Sequence, residues 1–292
     1  MQHPHTVVWT ALVALLLSVG TPAAGTGALV EQYDEGWIDW TSGIIAAQGV
    51  GAPSEKMVDQ TQARTTALAA AHRNGWRNVL NTARKVRITA TLTAADRADQ
   101  DGEIKIKLAE MAKAAETTKQ EYLSDGTVAV TVQLSLHGGF AQMLLPSDIE
   151  QIETIKAVTK NEQNGTTSTA QAAMSNPPSD VYSGLIVDAR GLAVRPALAP
   201  TIVDENGQEV YGPGIVSREF AVQQGVSGYA RGLPAAQENK RIGSNPLTVK
   251  VLRLRAQAQT DMVISNADAA KLRSSFEHLE FLKECRVVIV VD

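Results

Sequence analysis

The stretch KQEYLSDGTVAVTVQLSL, residues 119–136, decides the fold class. Val128, Val130, Val132, Leu134 and Leu136 alternate with Ala129, Thr131, Gln133 and Ser135. Successive strand side chains point to opposite faces, so this period of two marks a strand with one face buried. Asp125-Gly126 supplies the tight turn back to a partner strand over Lys119–Leu123. An antiparallel hairpin of this kind has to lay its apolar face on something.

The segments around it supply the cover. From Glu55 to about Val86 the spacing turns helical, with Ala67, Leu68, Ala71, Gly75, Val79, Leu80 and Ala83 on one stripe. Small residues there predict a helix lying close on a sheet, and close approach accounts for Gly75, which costs roughly 1 kcal/mol against Ala in a helix. A second helix is expected over Gly102–Ala115, with Ile104, Leu108, Met111 and Ala115 inward. Gly36-Trp37-Ile38-Asp39-Trp40 leads into a first strand at 43–51. Together these make an α+β domain over 36–146.

A short helix is expected at 149–158. Residues 159–180 are rich in Asn, Gln, Thr, Ser and Ala and hold Pro177-Pro178, the composition of a flexible linker. With the helix they form a connecting segment, 147–180. Asn164-Gly165-Thr166 is formally a glycosylation sequon, without meaning in a bacterial chain. A second α+β domain is expected over 181–292. It opens on a strand at 181–187, continues with a hairpin around Asn206-Gly207, and is irregular over 211–245. A strand follows at 247–258, then a helix capped by Ser265 and Asp268 running to Lys283. The apolar run 286–291 is a final strand of the sort buried on both faces. The fold class expected is α+β, two small domains, each a mainly antiparallel sheet packed with helices.

Upstream, the apolar run Val7–Val19, the break at Gly20-Thr21-Pro22 and the small residues Ala23-Ala24-Gly25 have the pattern of a cleavable secretory signal over 1–25. The run is short of the ~20 residues that span a bilayer. Cleavage after Ala24, Gly25 or Ala28 fits equally. The compartment expected is a bacterial periplasm, free or associated with the outer membrane. No later segment reads as transmembrane.

Composition narrows the function. A net charge of -4 gives no global attraction to nucleic acid, and 4% aromatics leave little for base or sugar stacking. The single cysteine, Cys285, excludes a disulfide scaffold and reads as a buried, inert thiol. His72, His137 and His278 are scattered, and Glu277-His278-Leu279-Glu280 reads as a solvated helix face. Gly49-Val50-Gly51 precedes a helix as phosphate loops do, but the Gly-Lys-Ser/Thr ending and a third glycine are missing. Ser227 stands outside a Gly-x-Ser-x-Gly elbow. Asp188 and Arg190, two apart at a strand end, are expected to pair with each other rather than with a ligand. No catalytic, cofactor-binding or metal-binding residue is assigned.

Three stretches of the first half carry a resemblance: 36–40, the helix ending Trp76-Arg77-Asn78-Val79-Leu80, and Glu121-Tyr122-Leu123-Ser124-Asp125-Gly126. They resemble the envelope lipoprotein family related to the N-terminal region of the flagellar H/T-ring assembly protein FlgT. Residues 182–192, 204–212 and 285–292 are similar to the C-terminal parts of longer members. The resemblance implies an envelope-associated, non-catalytic protein with envelope or flagellar protein partners. The lipid-acceptor cysteine of that family is missing here. The function expected is therefore a structural or assembly role through protein–protein contacts. The alternatives are a periplasmic small-molecule-binding module, with its pocket between the domains, and a hydrolase built from scattered carboxylates.

Overall fold

The computed structural model describes residues 28–53, 59–149, 182–255 and 258–292. The signal segment 1–25, the linker with its Pro pair and sequon, and nearly all of the helix expected at 149–158 lie outside the described residues. The chain is α+β, as expected.

The first half is a five-stranded antiparallel sheet of order β1-β2-β3-β5-β4. Its strands are β1 (Val30–Gln32), β2 (Gly36–Asp39), β3 (Ile44–Gly51), β4 (Glu116–Tyr122) and β5 (Val128–Ser135). The predicted hairpin is β4–β5, and Gly126 sits at its turn with φ 85°. Residues 36–39 are a strand in their own right, so β3 is third rather than first. The short β1 and β2 carry too little alternation to stand out in the sequence.

Helix α1 (Gln60–Arg84) buries Ala67, Ala71, Gly75, Val79 and Ala83 against this sheet. The strand's own glycines set the approach. A Cβ on Gly49 would lie 2.1 Å from the Ala71 carbonyl oxygen and the Gly75 nitrogen, and one on Gly51 2.0 Å from the Ala67 carbonyl oxygen. These two glycines serve helix–sheet packing and form no phosphate loop. Asn74 and Asn78 reach across to donate to the Val50 and Gln48 carbonyls at 2.7 and 2.8 Å. Helix α2 (Ala94–Gln100) was not expected. It is held by a Thr93–Asp96 capping box, a four-residue signal that seven residues of helix leave isolated. Helices α3 (Gly102–Lys113) and α4 (Gly139–Leu144) complete this half.

In the second half, β6 (Gly184–Asp188), β7 (Ile202–Val203) and β8 (Glu209–Tyr211) are followed by α5 (Arg218–Gln224), β9 (Gly228–Arg231) and α6 (Leu233–Gln237). Then come a 3-10 turn (Lys240–Ile242), β10 (Pro246–Lys250), β11 (Arg253–Arg255) and β12 (Ala258–Val263). Helices α7 (Asn266–Arg273) and α8 (Phe276–Lys283) lead to β13 (Val287–Val291). The segment 211–245, expected to be irregular, therefore holds two helices, a strand and a 3-10 turn, each too short for a visible period. The strand expected over 247–258 is two, β10 and β11, in different sheets. The helix to Lys283 breaks at Ser274-Ser275, where Ser275 caps α8.

Strand direction is the larger correction. β10, β6, β13 and β9 pair in parallel throughout, and only the small sheet β11-β12-β7-β8 contains antiparallel pairs here. All five residues of β13 are buried, as its apolar run predicts. Val287, Ile289 and Val291 face the main core, while Val288 and Val290 join Ile186, Ala230, Ala236 and Ile242 in a smaller one. Both faces covered is the setting in which parallel sheets occur. The main core is continuous between the halves, from Leu29 and Ile38 to Leu282 and Val291.

Candidate functional site

Of the residues flagged in the sequence, His137 and Ser227 line one small space and Asp188 pairs with Arg190. Asp188 and Arg190 form a two-pronged pair, Nε to Oδ1 and Nη2 to Oδ2 both at 2.8 Å. The guanidinium, chiefly through these hydrogen bonds, holds the Asp188 carboxyl below its usual range. Burial pushes the Cys285 thiol up to about 12, so it carries no thiolate at neutral pH. His72 stacks near Trp76 with centroids 5.7 Å apart. His278, expected on a solvated face, is 2% exposed. Its Nδ1 lies 2.9 Å from the Lys271 carbonyl oxygen and its Nε2 accepts from the Tyr182 N–H at 3.3 Å, an interior bracket. Among the described residues no group of three His, Cys, Asp or Glu could hold a metal.

Buried polar chemistry concentrates where the two halves meet. Arg87, in the loop after α1, is 8% exposed. It donates to both oxygens of Glu31 at 2.5 and 2.6 Å and, through Nε, to the Pro196 carbonyl at 2.8 Å. Glu31 also accepts from Trp40 Nε1 at 2.8 Å and from the Tyr33 hydroxyl at 3.2 Å. The backbone pairs across the same seam, Leu198 N–H to Arg87 O and Ala199 N–H to Ile88 O, at 2.9 and 2.8 Å. Tyr229 both accepts from the Ala197 N–H and donates to its carbonyl, and its ring meets Trp40 edge-on at 5.7 Å. Burial pushes its hydroxyl up to about 12, keeping it a neutral bridge. On the far side, Gly138 N–H donates to Val222 O at 2.8 Å, and Arg218 donates to Pro146 O and Gln142 O at 2.8 and 2.9 Å. Every charged member is spent on the seam itself. Beside Arg84, Lys85, Arg87 and Arg195 the seam opens to solvent in a ≈ 470 Å³ cleft, whereas the space beside Trp40, His137 and Tyr229 is ≈ 20 Å³. That is about one water, against the roughly 300–1,000 Å³ of ligand sites.

The outer surface offers something different. All seven residues of β4 are exposed, and β4 is the sheet's edge, so its outer N–H and C=O groups face solvent. Tyr122 is 56% exposed. With Gln60, Thr61, Arg64, Thr65 and Leu68 of α1 it lines an open groove of ≈ 320 Å³. Lys119 at mid-strand, paired with Glu121 at 2.9 Å, and an irregular register between Thr117 and Lys119 are devices that restrain indiscriminate edge pairing. Sequence reading placed this strand but missed its exposure, because Tyr122 and Leu123 look like ordinary inward residues.

Among the described residues no helix is long and apolar enough to cross a membrane. No curated protein matches the chain. Residues 184–292, from the first residue of β6 onward, match the family described as the second domain of Treponema pallidum Tp0624.

Proposed function

We propose that this protein is an exported, non-enzymatic envelope component with a structural or assembly role, acting through protein–protein contacts along β4. One observation carries the reading: a seven-residue strand that buries no side chain yet presents a full ladder edge. Such a strand adds little apolar burial to the fold, and an added partner strand would complete its hydrogen bonding. Export rests on the amino-terminal run 7–19, and the envelope setting on the resemblance to the flagella-linked lipoprotein family, which also makes the basal body a candidate destination. The small-molecule reading stands second: the space beside Trp40 and His137 is ≈ 20 Å³, and the ≈ 470 Å³ cleft at Arg84, Lys85, Arg87 and Arg195 lies open to solvent.

A photo-crosslinking residue at Gln120, in intact cells of the source organism, tests it. The expected result is one discrete adduct, lost when the probe moves to Leu252, an exposed site off the sheet. Indistinguishable adducts at the two sites, or none, would overturn the contact role. Fractionation with amino-terminal sequencing tests export separately, and a full-length cytosolic chain would refute it. Loss of motility on deletion is the outcome that ties the protein to flagella.

A further inference from the structure

His137 follows β5, and its imidazole slots between one glycine from each half. A Cβ on Gly43 would lie 2.4 Å from its Cε1, and a Cβ on Gly225 would lie 3.2 Å from its Nε2. Both glycines have positive φ, 69° and 82°, so the clamp leaves two reasons against any side chain at either position. Neither ring nitrogen has a hydrogen-bond partner among the described residues. The ring lines the ≈ 20 Å³ space together with Ser227, whose buried hydroxyl also lacks a partner there.

We propose that His137 makes the seam between the two halves acid-sensitive: the neutral ring seals it, and the protonated ring loosens the joint between α4 and α5. The ring is part-buried, and the protein groups that line the space with it offer a cation no counter-charge. From α4 comes Ala141 and from its C-cap Leu145, from the strap before β7 Ala197 and Leu198, and from α5 Ala221. β9 and its approach present the hydroxyls of Ser227 and Tyr229, the latter committed to Ala197. The 3-10 turn contributes Arg241, a second cation, which donates to the carbonyls of Gln224, Gly225 and Cys285 and has no carboxylate partner among the described residues. On the turn beside Gly43 the acid is Asp39, already accepting from the Thr41 and Ser42 N–H groups at 2.9 and 3.1 Å. The joint at risk begins one residue on, where Gly138 N–H meets Val222 O.

Burial, and after it the charge of Arg241, lower the His137 pKa below its ordinary 6.5. The folded chain then binds fewer protons than the unfolded chain as pH falls through 6.5. The stability contribution is complete above that value and is lost progressively down to the folded pKa.

The test compares the full chain with its His137→Gln variant at pH 7.5 and 5.0, reading melting temperature and hydrogen exchange at the Gly138 amide. Between the two pH values the wild type is expected to lose at least about 2 °C more than the variant. Gly138 protection should fall in the wild type alone. Equal losses in both chains would overturn the proposal. Should the variant not fold, titration of the His137 ring by NMR in the wild type decides. A midpoint at or above about 6.5 refutes the inference. A lower midpoint, tracked by falling Gly138 protection, supports it.

Discussion

At the residue scale the most consequential pair is Glu31–Arg87. Both oxygens of the acid are engaged and the guanidinium is almost enclosed, so removing one partner strands the other. Glu31→Ala is expected to cost about 3 kcal/mol in urea unfolding, in the range seen for broken buried pairs. Combining it with Arg87→Met should recover part of that loss, because no unpaired charge remains. Cys285 makes a different case. It occupies φ 57° just beyond α8, where its N–H bonds to Leu282 O and the Arg286 N–H to Phe281 O, a helix stop that usually takes glycine. Its thiol is buried and pushed up to about 12, so an aromatic disulfide reagent at pH 8 should react in urea and not with the native chain. Rapid native labelling would contradict the buried placement.

At the element scale the contact between α1 and β3 is set by absent side chains. Gly49→Ala drives a methyl into the helix backbone and is expected to cost more than about 3 kcal/mol in chemical unfolding. Gly102→Ala, at the open start of α3 with nothing within 4 Å, should leave stability unchanged or raise it by up to about 1 kcal/mol. Helix α1 was legible in the sequence because twenty-five residues give several turns of one stripe. The hairpin β4–β5 was legible for a similar reason, an alternation fixed by Asp125-Gly126. Short elements such as α5, α6 and β9 were not, since four to seven residues complete at most about two periods. Parallel pairing left one sign: Val287–Val291, apolar at every position, announces burial on both faces, the setting of parallel sheets, but does not name its neighbours. The seam was illegible for another reason. Arg87 and Glu31 are 56 positions apart and His137 and Gly225 farther still, distances over which no local pattern operates.

At the scale of the whole molecule, the two halves that the sequence separates by a polar stretch share one apolar core. Calorimetry should therefore show a single transition, with calorimetric and van't Hoff enthalpies equal. Two resolved peaks would mean that the seam is weaker than its geometry. The order of strands adds a temporal consequence. β9 has β13 as its strand partner in the parallel sheet, and β6 keeps one bare flank until β13 arrives. A ribosome delivers residues 287–291 well after both. On the export proposed above, such late closure would leave the second half pliable, and exposed to chaperones and proteases alike, until that valine-rich stretch slides home.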